Sequence, residues 1–340
     1  MEKNKVLIIR FSSFGDIVQC SSVINIILDK FTKPGHVNEI HWATRSDFES
    51  LVKLNMNITQ VWALEKKMGI FGLLKFALNL RAENYSHIYD AHNNLRSTVL
   101  KFFLITKFNQ PKLITRSKDR FKRILLFNFG INRFPKPFKG INSFIIPLNK
   151  WGIELPNKIF VSWLFTSSII EKIHSILNHK KFIALVPSAA WEMKRWPIAH
   201  WKELIKQLPN ENFIILGGRE DHKFCQDIVA IDPSRVKSFA GELSLIESCQ
   251  LISQAQLVIS ADTGLLHVAD VLNVLGISLM GPTAFGYTSG KNIKTLEVEM
   301  ACRPCSKDGS GKCSQDIWQK CMTEILPSRV AHEVLSLIHE

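Results

Sequence analysis

The 340-residue sequence has no apolar run long enough to cross a bilayer. Its first residues, Met1 to Phe11, lack the long apolar region and small-residue cleavage site of a signal peptide. These absences lead to the expectation of a cytoplasmic protein. There are only seven cysteines, and in a reducing compartment they are thiols or metal ligands rather than disulfides. No low-complexity segment and no short repeat occurs. The P-loop lysine motif is missing and no glycine spacing fits G-x-G-x-x-G, so neither a Walker NTPase nor a standard dinucleotide site is supported. Acid is scarce in one stretch: from Lys112 to Lys139, nine cations face Asp119 alone.

What is present is an alternating pattern. Hydrophobic residues make up 46% and charged residues 21%, and the length favours two domains that each bury a core. Apolar runs at Lys5–Phe11, Glu39–Thr44, Ile88–Ala91, Phe182–Val186, Phe213–Leu216 and Leu257–Ile259 are each followed by residues at helical spacing. Strand–helix alternation on this scale predicts an α/β fold of parallel sheets with helices on both faces. Both halves begin alike, with strand, turn and helix, and the junction falls near Pro147–Thr166. In such sheets a ligand sits beyond the carboxyl ends of the strands. The charge divides unequally: residues 1–170 hold 25 Lys and Arg against 11 Asp and Glu, residues 171–340 hold 18 against 19. A basic first half calls for a polyanionic partner: nucleic acid, an anionic membrane surface or a phosphorylated substrate.

Three turns in the second half point to one ligand. Leu257–Ile259 runs into Ser260-Ala261-Asp262-Thr263-Gly264, and a helical pattern containing His267 follows. A helix start carries unpaired N–H groups and a partial positive charge, which suits phosphate. After Phe182–Val186 comes Pro187-Ser188-Ala189, then Lys194 just before a helix with Pro197 at its start. Small residues let backbone approach a ligand, and an ammonium meets phosphate as a point charge. After Phe213–Leu216 comes Gly217-Gly218-Arg219-Glu220-Asp221, whose acids suit sugar hydroxyls. Together the turns predict a nucleotide pocket. In the first half, Asp16 ends the turn Ser12-Ser13-Phe14-Gly15-Asp16. From the residues alone it reads first as a helix N-cap, and only second as a carboxylate able to take a proton from an attacking hydroxyl.

Five segments carry a family resemblance: KVLIIRFSSFGDIVQCSSVI (5–24), DAHNNLRS (90–97), PSAAWEMKRWP (187–197), LGGREDH (216–222) and DTGLLHVADVLNVLGISLMGPT (262–283). In this combination and order the sequence resembles glycosyltransferase family 9, the ADP-heptose:lipopolysaccharide heptosyltransferases, over nearly its whole length. The resemblance implies a GT-B fold. Residues 1–165 would form a Rossmann-like acceptor domain, 166–326 a Rossmann-like nucleotide-sugar domain, and 327–340 a helix packing back on the first. It implies that Asp16 is the catalytic base. It implies donor binding by Ser188, Lys194, Glu220, Asp262, Thr263, Gly264 and His267. Ser13, Asn93, Arg96, Arg120 and Arg123 would face the acceptor. The donor would be ADP-heptose and the acceptor the anionic core of lipopolysaccharide, met by a peripheral association with the inner membrane. No cofactor and no metal is expected.

Two departures stand out. Ser188 occupies a place where many members carry glycine, which puts the loop geometry in question. Asp270 replaces a small residue and is expected only to cap or solvate its helix. Cys302, Cys305, Cys313 and Cys321 fall within twenty residues, as a tetrahedral metal site would need, yet the seven-residue gaps are not diagnostic. Cys20, Cys225 and Cys249 read as small buried residues. Two competing functions remain: transfer from another nucleotide-sugar, and nucleic-acid binding by the basic half. The second needs aromatics free to stack, whereas Phe121, Phe127, Phe129 and Phe134 are spaced for core packing.

Overall fold

The structure, a computed structural model, describes residues 3–32, 37–107, 109–178 and 180–339. The chain divides into two compact units, one of residues 1–119 and 141–164, the other of 120–140 and 165–340.

The first unit is built on five parallel strands: β1 (Lys3–Ile9), β2 (Val37–Arg45), β3 (Gln60–Leu64), β4 (His87–Asp90) and β5 (Lys112–Thr115), in the spatial order β3-β2-β1-β4-β5. Val6, Leu7, Ile8 and Ile9 are all buried, as a strand covered on both faces requires. Register is set at the centre of β1, where Val6 pairs with Ile40 on one side and His87 on the other. Leu7, Ile9, Ile88 and Ala43 form a core with Leu73, Phe76, Ala77 and Leu80 of the helix Ile70–Ala82 and Leu100 and Leu104 of the helix Leu95–Leu104. The strand order reverses between β1 and β4. Their carboxyl ends therefore diverge into opposite connections and leave a crevice.

The second unit holds six parallel strands: β6 (Ile183–Val186), β7 (Phe213–Ile215), β8 (Val236–Ser238), β9 (Leu257–Ala261), β10 (Gly276–Met280) and β11 (Ile293–Glu297), in the order β11-β10-β9-β6-β7-β8. Here the reversal lies between β6 and β9. Trp196, Trp201 and Leu204 pack with Ile183, Leu185, Ile259 and Ile277 in the core. The helix Pro327–His339, expected to pack back on the first domain, inserts Val330, Ala331 and Val334 into this core.

The division differs from the expected 1–165 boundary in one segment. Residues 120–140 belong to the second unit because their aromatics converge on Phe285. Phe127, Phe134 and Phe138 place their ring centroids 6.0, 5.0 and 5.0 Å from it, and the Arg123 guanidinium lies 4.1 Å over the same ring. Phe127 and Phe134 thus pack as their spacing predicts, but Phe121 and Phe129 are exposed, contrary to it. Arg120 and Arg123 accordingly sit in the second unit, not in the acceptor domain assigned to them.

Candidate functional site

At the first reversal, β1 delivers Arg10 and then the helix Phe14–Ser21. Ser13, not Asp16, is the N-cap of that helix. Asp16 lies one turn in and reaches back: Ser13 Oγ donates to Asp16 Oδ2 at 2.8 Å. A carboxylate so placed also complements the helix start. The same oxygen ion-pairs with Arg10, whose guanidinium is buried and donates to the Ala91 carbonyl at 2.9 Å. Arg116 lies close enough to act on the carboxylate electrostatically. It stacks 4.0 Å over Phe144 and donates to the Ser143 carbonyl and hydroxyl at 3.1 and 2.7 Å. Burial works against ionisation of Asp16, but Arg10, Arg116 and the Ser13 bonds prevail, and its carboxyl is held below the usual range. The side chain remains 36% exposed, so a ligand has access to it.

The turn after β4 completes this crevice. Asp90 is fully buried and accepts from the backbone N–H groups of His92 and Asn93 at 3.0 and 2.7 Å and from Ser97 Oγ at 2.9 Å, while Lys101 pairs with it at 2.7 Å. Asn93 takes a positive φ of 51° and donates to the Arg116 carbonyl at 2.8 Å, so it fixes the turn. Arg96 is exposed at the start of the next helix. His92 packs edge-on to Phe11, and its Nδ1 is buried without a hydrogen-bond partner among the described residues. Burial, then Arg10 and Lys118, push its pKa down to about 4, so the imidazole is neutral at pH 7.

At the second reversal, β6 leads to Ser188 and Lys194, and β9 leads to Asp262. Lys194 Nζ donates to the Asp262 carbonyl at 2.6 Å and to its Oδ2 at 3.2 Å. An ammonium has three donors, and two are used here, which leaves the third for a ligand. Thr283 Oγ1 donates to the same carboxylate at 3.0 Å, and His267 Nε2 stands 3.8 Å from Oδ1. Burial opposes ionisation of Asp262, but His267 and Lys194 overcome it and hold the carboxyl well below the usual range. Thr263 caps the helix Gly264–Val271, its Oγ1 accepting from Leu266 N–H at 3.3 Å. The lysine therefore bonds the residue just before this N-cap. Gly286 approaches this carboxylate so closely that a Cβ there would stand 2.1 Å from Asp262 Cγ.

The remaining predicted donor residues are placed less firmly. Ser188 is buried, and among the described residues it is not one with positive φ, so the loss of glycine carries no backbone strain here. Its Oγ packs against Gly217, at the end of β7. Glu220 is exposed in the turn Arg219–Asp221. Its neighbour Asp221 is the bonded acid, accepting from Gly218 N–H at 2.9 Å and lying 3.5 Å from Arg195. Asp270, expected to cap or solvate, does neither. Its buried carboxylate accepts from the Ser289 and Gly290 N–H groups at 2.8 and 2.7 Å and so ties down the loop after β10. A cavity of about 730 Å³ opens within this unit, with Phe134, Phe138, Thr283, Tyr287, Glu297 and Arg303 in its wall. Tyr287 and Arg303 both donate to Glu297, at 2.6 and 2.7 Å. Thr283 joins this cavity to Asp262.

Cys302, Cys305, Cys313 and Cys321 are unpaired thiols. Among the described residues no group of three or more His, Cys, Asp or Glu is arranged to hold a metal ion. Cys20, Cys225 and Cys249 are buried, as expected, and burial pushes the first two thiols up to about 12. Sequence reasoning missed Arg10, His92, Thr283 and Gly286, and saw Arg116 only as one cation of a basic run. His92 follows the run Ile88–Ala91, so the strand-end rule points to it, whereas Arg10 was hidden inside the run Lys5–Phe11 although β1 ends at Ile9.

A profile of the family described as "Glycosyltransferase family 9 (heptosyltransferase)" matches residues 73–318. The chain is 26% identical over 205 residues to lipooligosaccharide heptosyltransferase 2 of Campylobacter jejuni, an alignment covering 58% of this chain and 61% of that protein. It is 27% identical over 299 residues to lipopolysaccharide heptosyltransferase 1 of Campylobacter coli, covering 82% and 84%. Among solved structures, ADP-heptose LPS heptosyltransferase II of E. coli superposes with a TM-score of 0.73 at 20% identity, covering 98% of each chain. The E. coli heptosyltransferase WaaC with ADP superposes with a TM-score of 0.69 at 16% identity, covering 98% and 99%. These likenesses show a GT-B fold of two Rossmann-like domains.

Proposed function

We propose that this chain, which belongs to glycosyltransferase family 9, moves L-glycero-D-manno-heptose from ADP-heptose to the inner core of lipopolysaccharide with inversion at the anomeric carbon. The chain spans about three fifths of one heptosyltransferase 2 and more than four fifths of one heptosyltransferase 1, and the names of both say heptose transfer. The observation that carries the reading is the cradle at the second reversal: Lys194 with a spare donor beside the capped helix start at Thr263.

In this reading the acceptor hydroxyl attacks the anomeric carbon as Asp16 takes its proton. The bond from that carbon to the ADP oxygen breaks, and the electron pair leaves with the diphosphate. Charge on the diphosphate grows through the transition state, so preformed positive groups lower the barrier. Lys194 and the N–H groups of the Gly264–Val271 helix supply that charge, and the reaction needs no divalent ion. Asp262 holds Lys194 and His267 in position. Glu220 meets the sugar or the ribose of the donor, and Ser188 belongs to the donor turn after β6. Arg10 and Arg116 suit the phosphate and carboxylate groups of the acceptor, whose engagement would also relieve their hold on the Asp16 proton affinity. Ser13, Asn93, Arg96, Arg120 and Arg123 are proposed to bind the acceptor as well. The enzyme would work at the cytoplasmic face of the inner membrane as a peripheral protein.

A donor panel of ADP-heptose, UDP-sugars and GDP-sugars with truncated lipopolysaccharide acceptors tests this, with products read directly. Heptose transfer from ADP-heptose alone is expected. Transfer of a hexose from another donor would replace the substrate assignment, and salt-sensitive nucleic-acid binding with no transfer would replace the function.

A further inference from the structure

The first unit carries a surface that neither the fold nor the proposed chemistry uses. The helices Ile70–Ala82 and Leu95–Leu104 lie side by side, and each gives one face to the same core. The opposite faces are apolar where a solvated helix would be polar. On the first, Phe71, Lys75 and Leu78 follow at i, i+4 and i+7, with Phe71 84% exposed. On the second, Leu95 and Phe102 stand one heptad apart, 80% and 78% exposed. Ile70 and Ile105 extend the same exposed set. A monomer seldom leaves so many large apolar side chains together without a partner.

Charge identifies the partner. Neither helix contains an acid. Lys75, Arg81 and Lys107 are exposed among or beside the apolar residues, while Lys101 is committed to Asp90 and Arg96 is assigned to the acceptor. Glu83, just beyond the first helix, is paired with Lys5 at 2.6 Å. Two copies of this face would bring cation against cation. A nucleic acid could stack on Phe71 and Phe102 alone, and would leave the aliphatic Ile70, Leu78, Leu95 and Ile105, four of the six exposed apolar side chains, in water. Protruding Phe, Leu and Ile side chains rimmed by cations match the acyl–headgroup boundary of an anionic bilayer.

We propose that this two-helix face docks on anionic phospholipid, with Phe71, Leu78 and Phe102 entering the interface and Lys75 and Arg81 at the headgroups. The face gives the peripheral association proposed above a place on the molecule and rests on that part of the reading. Vesicle binding needs neither donor nor acceptor, so it is measured apart from transfer.

The test is co-sedimentation of the full chain with vesicles of phosphatidylglycerol and phosphatidylethanolamine, against vesicles of phosphatidylcholine. The wild type binds the anionic vesicles, and binding weakens as salt is raised. The triple variant Phe71→Ser, Leu78→Ser, Phe102→Ser loses at least about tenfold in partition, as removal of three interfacial side chains should. Lys75→Glu loses less, and only on anionic vesicles. A thermal melt confirms folding, which these exposed positions should not disturb. Transfer to a water-soluble, deacylated acceptor stays unchanged in the triple variant. Equal partition of wild type and triple variant overturns the proposal. So does loss that follows Phe121→Ser with Ile124→Ser instead, or a wild-type dimer that the triple variant dissociates without vesicles.

Discussion

In the first unit the carboxylate at the strand reversal, Asp16, is held by two arginines on the opening turn of a helix and stays more than a third exposed. In the second unit the corresponding carboxylate, Asp262, is 16% exposed and is held by Lys194, Thr283, His267 and the close approach of Gly286. Both units use one device, a reversal of strand order that opens a crevice and fills it with a carboxylate and cations. Both carboxyls are kept below their ordinary range by those cations. The difference is freedom. Asp16 retains an accessible face and a proton-transfer role is open to it. Asp262 is committed on every side, so its part is to aim the lysine and histidine around it.

The contrast breaks first at Asp16. Asp16→Ala should reduce heptose transfer by about a thousandfold, the scale of a lost general base. Product formation under saturating substrates reads this, and activity within tenfold of wild type would remove Asp16 from the chemistry. Next is Lys194→Ala, which should weaken ADP binding by about ten- to a hundredfold through the loss of charge-assisted bonds. Calorimetric titration checks it, and unchanged affinity would take the lysine out of the donor site. Gly286→Ala sharpens the comparison, because the added carbon must displace the Asp262 carboxylate. It should cost about 2 kcal/mol in urea unfolding and weaken ADP binding, as overpacking does. Acid should separate wild type from Asp262→Asn. A carboxyl lowered in the native state contributes stability above the unfolded value near ~3.9, and that contribution is lost as pH falls through the lower native value. Unfolding midpoints should therefore fall less steeply below about pH 4 in the variant, and parallel curves would deny Asp262 its part. The smallest effect is expected at Glu220→Ala, about a twofold rise in donor KM, because an exposed carboxylate contributes little.

Much of this was legible in the sequence. The central strands β1, β6 and β9 carry the apolar runs Val6–Ile9, Ile183–Val186 and Leu257–Ile259 because both their faces are covered there. The edge or short strands β3, β5, β8 and β11 were not read, since Gln60, Lys112, Lys237 and Lys294 interrupt their apolar character. The donor turns were readable because small residues, an acid and a lysine follow strands in order. Lys194 and Asp262 are 68 positions apart, and only the pairing of β6 with β9 brings them together. Arg116 lay in a stretch so rich in cations that nothing local distinguished it from its neighbours. Its stacking on Phe144, 28 positions on, does so. The break between the basic segment and the first unit was also hidden, because the ring it packs on, Phe285, lies far along the chain.

The division of labour between the two reversals is tested most directly by crossing two readouts on two variants. ADP affinity and heptose transfer are measured on the same preparations of Asp16→Ala and Lys194→Ala. The account predicts that Asp16→Ala binds ADP within about twofold of wild type while transfer falls about a thousandfold, and that Lys194→Ala loses ADP affinity as well as transfer. Loss of ADP binding in Asp16→Ala, or full ADP binding in Lys194→Ala, would contradict it.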